Sequence, residues 1–83
     1  MTQRDELLAK ARNNPVGIHF RELCSLAERF GFVKRDAKGS HVAYEREGVE
    51  EILTFQNAKG MAKAYQVKQF LSVVEKYRLG DEK

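Results

Sequence analysis

The sequence predicts an α+β sandwich in the order helix, helix, strand, strand, strand, helix. Three observations carry that expectation. Apolar residues recur at helical spacing after His19 and again after Tyr65, β-branched and aromatic residues cluster between Phe32 and Phe55, and glycines mark the borders of these stretches. Adjacent strands flanked by helices imply one antiparallel sheet, covered on one face and exposed on the other. With 83 residues there is room for one modest core, so residues 1–83 read as a single domain whose function sits on its surface or in a shallow cleft.

Residues 2–14 read as a first helix. Thr2 followed by Asp5 resembles an N-terminal cap, Leu7, Leu8 and Ala11 make a short apolar stripe, and Asn13, Asn14 and Pro15 end it. A stripe this weak marks a cover over the core or a partner-facing addition. From His19 onward, Phe20, Leu23, Cys24, Ala27 and Phe30 recur at helical spacing, Leu26 widens the stripe, and Gly31 supplies a left-handed C-terminal residue. This helix is expected to be central. Phe32 to Asp36 reads as a short strand and Ala37-Lys38-Gly39 as a hairpin turn. Ser40 to Glu45 alternates, which places Val42 and Tyr44 on one face of a strand and His41 and Ala43 on the other. Arg46-Glu47-Gly48 forms a second turn, and Ile52-Leu53-Thr54-Phe55 a third strand. The polar, glycine-containing run Asn57 to Lys63 reads as a loop into the last helix, where Val67, Phe70, Leu71, Val74 and Tyr77 form the apolar face and Gly80 is the stop.

The formal net charge is +3, a mildly basic balance that favours nucleic acid or an acidic partner. Its distribution says more than its sum. Residues 32–46 carry +2 and residues 57–79 carry +4, while residues 47–56 between them carry −3. A fold that joined the two positive blocks would make a basic surface beside a repulsive rim. Cys24 is a single cysteine, so no internal disulfide is expected and a reducing cytoplasm fits. The N-terminus lacks the apolar run of a signal peptide, and no stretch is apolar for long enough to span a bilayer. No membrane association is expected.

One cysteine and two separated histidines match no closed zinc pattern, so no metal is expected, and no phosphate-cradling glycine loop appears. Ser40 beside His41 does not make a nucleophile and its base, because neighbours on a strand point to opposite faces and no acidic orienting group accompanies them. What remains is His41 after a tight turn, with Arg35 and Lys38 before it and Tyr44 after it. An imidazole exchanges protons near neutral pH and neighbouring cations hold a phosphodiester against it. That combination suits RNA cleavage, in which the substrate's own 2′-hydroxyl is the nucleophile and no cofactor is required. From the residues alone, an ordinary strand histidine is the open alternative. His19, at the start of the central helix, is expected to cap it or face solvent.

Phe20-Arg21-Glu22-Leu23, Phe30-Gly31-Phe32, Gly39-Ser40-His41-Val42-Ala43-Tyr44 and Tyr65-Gln66-Val67-Lys68-Gln69-Phe70-Leu71 together resemble HicA toxins. The resemblance covers residues 20–79 and leaves 2–14 as an additional helix. It implies a double-stranded-RNA-binding-like α-β-β-β-α fold, an endoribonuclease acting on mRNA, and a HicB-type antitoxin that masks the site. Carried over by position, His41 would be catalytic, with Gly39 and Ser40 forming the turn that presents it. Many relatives have a proline and a second histidine near the end of the third strand, where this chain has Phe55-Gln56-Asn57. Arg35, Lys38, Lys59, Lys63 and Lys68 are candidate RNA phosphate contacts, as is Lys34, and such contacts position RNA without reading its sequence. Tyr44 and Tyr65 are candidates for base stacking or for packing. A non-catalytic RNA-binding module and a protein-interaction domain recognised by an acidic antitoxin are the alternatives.

Overall fold

The two strongly amphipathic stretches become helices that share one sheet. In the computed structural model, which describes residues 3–81, the elements are α1 (Gln3–Asn13), α2 (Phe20–Arg29), β1 (Val33–Lys38), β2 (His41–Glu45), β3 (Leu53–Ala58), β4 (Met61–Ala62) and α3 (Ala64–Lys76), with short 3-10 turns at Pro15–Gly17 and Leu79–Asp81. The strands form one antiparallel sheet in the order β1-β2-β3-β4. Leu23, Leu26 and Ala27 of α2 and Val67, Phe70, Val73 and Val74 of α3 are buried with Tyr44, Leu53 and Phe55 of the sheet. Phe70 lies at the centre, its ring edge-on to Phe30, Phe32 and Phe55 at centroid distances of 5.8, 5.9 and 6.4 Å. Both helices therefore lie on one face, and the other face is open. This is the α+β sandwich read from the sequence.

α1 is a cover over that core. Leu8 and Ala11 are buried, and the Arg4 guanidinium sits 4.6 Å from the centroid of the Phe30 ring. The cap expected at Thr2 lies outside the described residues. At the start of α2, the His19 backbone N–H donates to Glu22 Oε1 at 2.9 Å, and Lys10 of α1 donates to Glu22 Oε2 at 2.8 Å. One carboxylate thus closes the N-terminus of α2 and fastens α1 to it. Those donors hold Glu22 down to about 2, with Lys10 the larger cause and the His19 amide next.

Three local expectations are corrected. The first hairpin turns at Gly39-Ser40, one residue later than expected, because Lys38 pairs with His41 and the left-handed φ of +62° falls at Gly39, the first position of a two-residue loop. The run from Asn57 to Lys63 is not a loop: β3 continues to Ala58 and turns back as β4. Lys59 and Gly60 have φ of 55° and 88°, the pair of left-handed residues that matches a hairpin's twist, and Asn57 Oδ1 accepts the Gly60 N–H at 2.6 Å. β4 is paired on its outer edge as well, since Ala62 N–H donates to Ile18 O and Phe20 N–H to Gly60 O, both at 2.9 Å. Finally, α3 ends at Lys76, ahead of Gly80, and Arg78 takes the left-handed conformation itself with φ of 55°.

Candidate active site

The strand register assembles a row of side chains across the open face. Tyr44 is buried and Val42 partly so, which sends His41 and Ala43 to the opposite, open face. On β1 the partner of His41 is Lys38. On β3 its partner is Gln56, whose neighbours Leu53 and Phe55 point into the core. Lys38, His41 and Gln56 therefore lie side by side on three successive strands. Asn57 N–H donates to Ser40 O at 2.8 Å, so the His41 and Gln56 pair lies between ladder bonds, the closer kind of pair, with Cα atoms about 4.5 Å apart. His41 is exposed at the edge formed by the Gly39-Ser40 turn, and the Lys59-Gly60 turn lies at the same end of the sheet.

Behind the row the sheet is pinned to both helices. Tyr44 Oη donates to Glu28 Oε2 of α2 at 2.6 Å, and burial, followed by that carboxylate, pushes the phenol well above its ordinary range. With its ring enclosed against Phe55, Tyr44 is a core residue and not a base-stacking platform. Tyr65 is exposed. The Gln56 N–H points away from β2, where β4 is too short to meet it, and the buried Gln66 side chain of α3 accepts it at 2.7 Å. Gln66 thus takes the place of a missing strand partner beside the row.

The basic residues are not all brought together. Lys38 is in the row and Lys59 in the neighbouring turn. Arg35 stands at the β1 bulge between Lys34 and Asp36, and its Nε lies 3.8 Å from Glu45 Oε1, toward the far half of the open face. Lys63 precedes α3 as its N-cap and Lys68 is exposed on α3, in the helical layer. Lys34 pairs with Tyr44 and so points to the helix side. His19 stands beside Met61 of β4, with Nδ1 3.0 Å from Glu22 Oε1, where it serves the helix start. At the far end of the open face Glu45, Glu47 and Glu50 surround a shallow hollow of about 500 Å³ with Val33 and Ile52 in its lining. Lys38 and Lys59 stand at the turn end of the open face, with Asp36 opposite Ala43 further along it, and at the far end three carboxylates outnumber Arg46 and Arg35. Among the described residues no three His, Cys, Asp or Glu side chains converge as a metal site, and no helix is long and apolar enough to cross a membrane.

Gln56 is the one member of the row that sequence reasoning did not single out. Its position opposite His41 is set by the connection between β2 and β3, residues 46–52, whose length and composition name no turn type and so no register.

Fold and site together define a small α+β protein with a histidine presented on the open face of an antiparallel sheet, beside a lysine and a glutamine. The family model described as the HicA toxin of bacterial toxin-antitoxin matches residues 20–75, well over half of the chain, and the chain belongs to that family. The match takes in α2, the whole sheet and nearly all of α3, and leaves α1 outside it. No curated protein and no solved structure matches the chain.

Proposed function

We propose that this toxin is a metal-independent endoribonuclease of the cytoplasm, with His41 as its catalytic residue, and that a HicB-type antitoxin silences it by covering the open face. The observation that carries the reading is the exposed His41 beside Lys38 at the cationic end of that face. A phosphodiester laid across the row meets an imidazole and an ammonium together. Neutral His41 takes the proton of the 2′-hydroxyl, whose oxygen forms a bond to phosphorus. The bond from phosphorus to the 5′-oxygen then breaks, that oxygen takes a proton from a water molecule, and the hydroxide left takes the proton that His41 gained, which restores the neutral imidazole. The products are a 2′,3′-cyclic phosphate and a 5′-hydroxyl. Lys38 offsets the charge that grows on the non-bridging oxygens, and Gly39 and Ser40 hold the turn that sets the position of His41. Lys59 and Lys63 supply phosphate contacts that position the strand, while Arg35, beside Glu45, and Lys68, in the helical layer, stand off its path.

Purified protein incubated with RNA in EDTA tests this directly: the RNA is cut, and His41→Ala loses about a hundred- to ten-thousand-fold of the rate. Intact RNA, or a variant as fast as the parent, overturns it. A second reading, a non-catalytic RNA-binding module, is favoured by the neutral Gln56 where a second proton carrier would face His41. It requires salt-sensitive RNA binding with no cleavage.

A further inference from the structure

We propose that Gln56 is a substrate-contacting residue of the same site, its side-chain amide donating a hydrogen bond to a non-bridging oxygen of the phosphate held beside His41. The inference rests on the ribonuclease reading and adds to it the group that orients the phosphate on the β3 side.

Register is the first argument. His41 and Gln56 form the close, non-hydrogen-bonded kind of cross-strand pair, so a phosphate within reach of the imidazole is within reach of the carboxamide. Lys38 flanks His41 on the other strand, and a phosphate seated on the row has a cation on one side and Gln56 on the other. The second argument is rigidity. The backbone of Gln56 is fixed twice, by the pairing of β2 with β3 and by the 2.7 Å bond from its N–H to the buried Gln66 side chain. That second bond occupies the main chain only and leaves the Gln56 carboxamide for a ligand. The third is chemistry. A carboxamide offers two N–H donors and has no charge to lose over the working pH range, so it stabilises developing negative charge without competing with His41 for protons.

The test compares Gln56→Ala, Gln56→Glu and the parent in RNA cleavage, alongside a titration of the parent with a 2′-O-methyl oligoribonucleotide, which binds and is not cut. The expected result is a ten- to hundred-fold fall in kcat for Gln56→Ala with little change in KM, and a larger fall for Gln56→Glu, whose carboxylate repels the phosphate. In the titration the Gln56 side-chain amide resonances shift, while those of Gln69 in the helical layer stay in place. A parent that cleaves equally well as Gln56→Ala overturns the Gln56 contact and leaves the ribonuclease reading standing. A parent that leaves RNA intact overturns the ribonuclease reading, and unshifted Gln56 amides in the titration then overturn the contact as well. Circular dichroism of each variant separates loss of contact from loss of fold.

Discussion

Gly39 shows how a single residue sets the site. Its φ of +62° is left-handed, yet a Cβ added there meets nothing within 4 Å. The cost of Gly39→Ala is therefore conformational only, about 1–2 kcal/mol, and urea unfolding is expected to show a lowered midpoint with an unchanged slope, the shift being that loss divided by the slope. The turn that presents His41 is also expected to relax, so cleavage falls further than stability does. Tyr44 makes the opposite kind of contribution. Tyr44→Phe keeps the ring and removes the hydroxyl that donates to Glu28 at 2.6 Å, which is expected to cost about 1.5–3 kcal/mol and to leave cleavage by the folded protein intact. The sequence made His41 visible because a glycine and a polar turn precede it on an alternating strand, and Lys38 was visible as a cation close before it in the chain. Gln56 was not, because its register opposite His41 is set by the irregular connection of residues 46–52 between β2 and β3, which carries no signal of a defined turn. Tyr44 was legible as a residue of the Val42 face but not as buried, since an amphipathic phenol suits either a core or a wet surface.

Among the elements, the two helices with wide apolar faces were legible nearly to their ends, since three or more core residues at helical spacing leave little alternative. β4 was hidden. Two residues are too few to show alternation, and its evidence was chemical, an Asn57 side chain and a Lys59-Gly60 pair suited to a tight hairpin. α1, with its narrow stripe, is held by the Lys10–Glu22 ion pair and the Arg4 contact with Phe30 in addition to Leu8 and Ala11, and this gives it a pH signature. Glu22 is held at about 2, below its ordinary 4.5. A carboxylate whose folded pKa is depressed contributes stability that is complete above the unfolded value and is lost as pH falls through the folded one. The contribution of Glu22 is thus expected to be whole above about pH 4.5 and to disappear toward about pH 2. Thermal melts of the parent and Glu22→Gln check this: the variant melts lower at pH 7, and the gap closes between those limits. A gap that persists at pH 2 contradicts the assignment. Glu51 follows the same sign, held at about 2 by Lys76 and the Tyr77 hydroxyl.

At the scale of the whole molecule, the segregation of charge along the chain becomes a segregation across the open face. Lys38 and the Lys59 turn stand at the His41 end, and at the other Glu45, Glu47 and Glu50 outnumber Arg46 and Arg35. RNA held on the row therefore crosses the strands along the turn end, because a path along the strands would run into the acidic hollow. Binding of a single-stranded 2′-O-methyl oligonucleotide, followed by anisotropy at several salt concentrations, is expected to weaken with salt. Each phosphate contact contributes about 0.7 to the slope of log K against log salt. Lys38→Ala is expected to lose about that much of the slope, and Lys68→Ala, in the helical layer, to lose less. Equal losses would place the RNA differently. The measurement closest to the central claim is cleavage itself. A defined RNA is incubated in EDTA with the parent and with His41→Ala, and the ends of the products are identified. Fragments with 2′,3′-cyclic phosphate and 5′-hydroxyl ends from the parent, formed at least about a hundred-fold more slowly by the variant, are the result this account requires. Uncut RNA from the parent, or the same rate from both proteins, contradicts it.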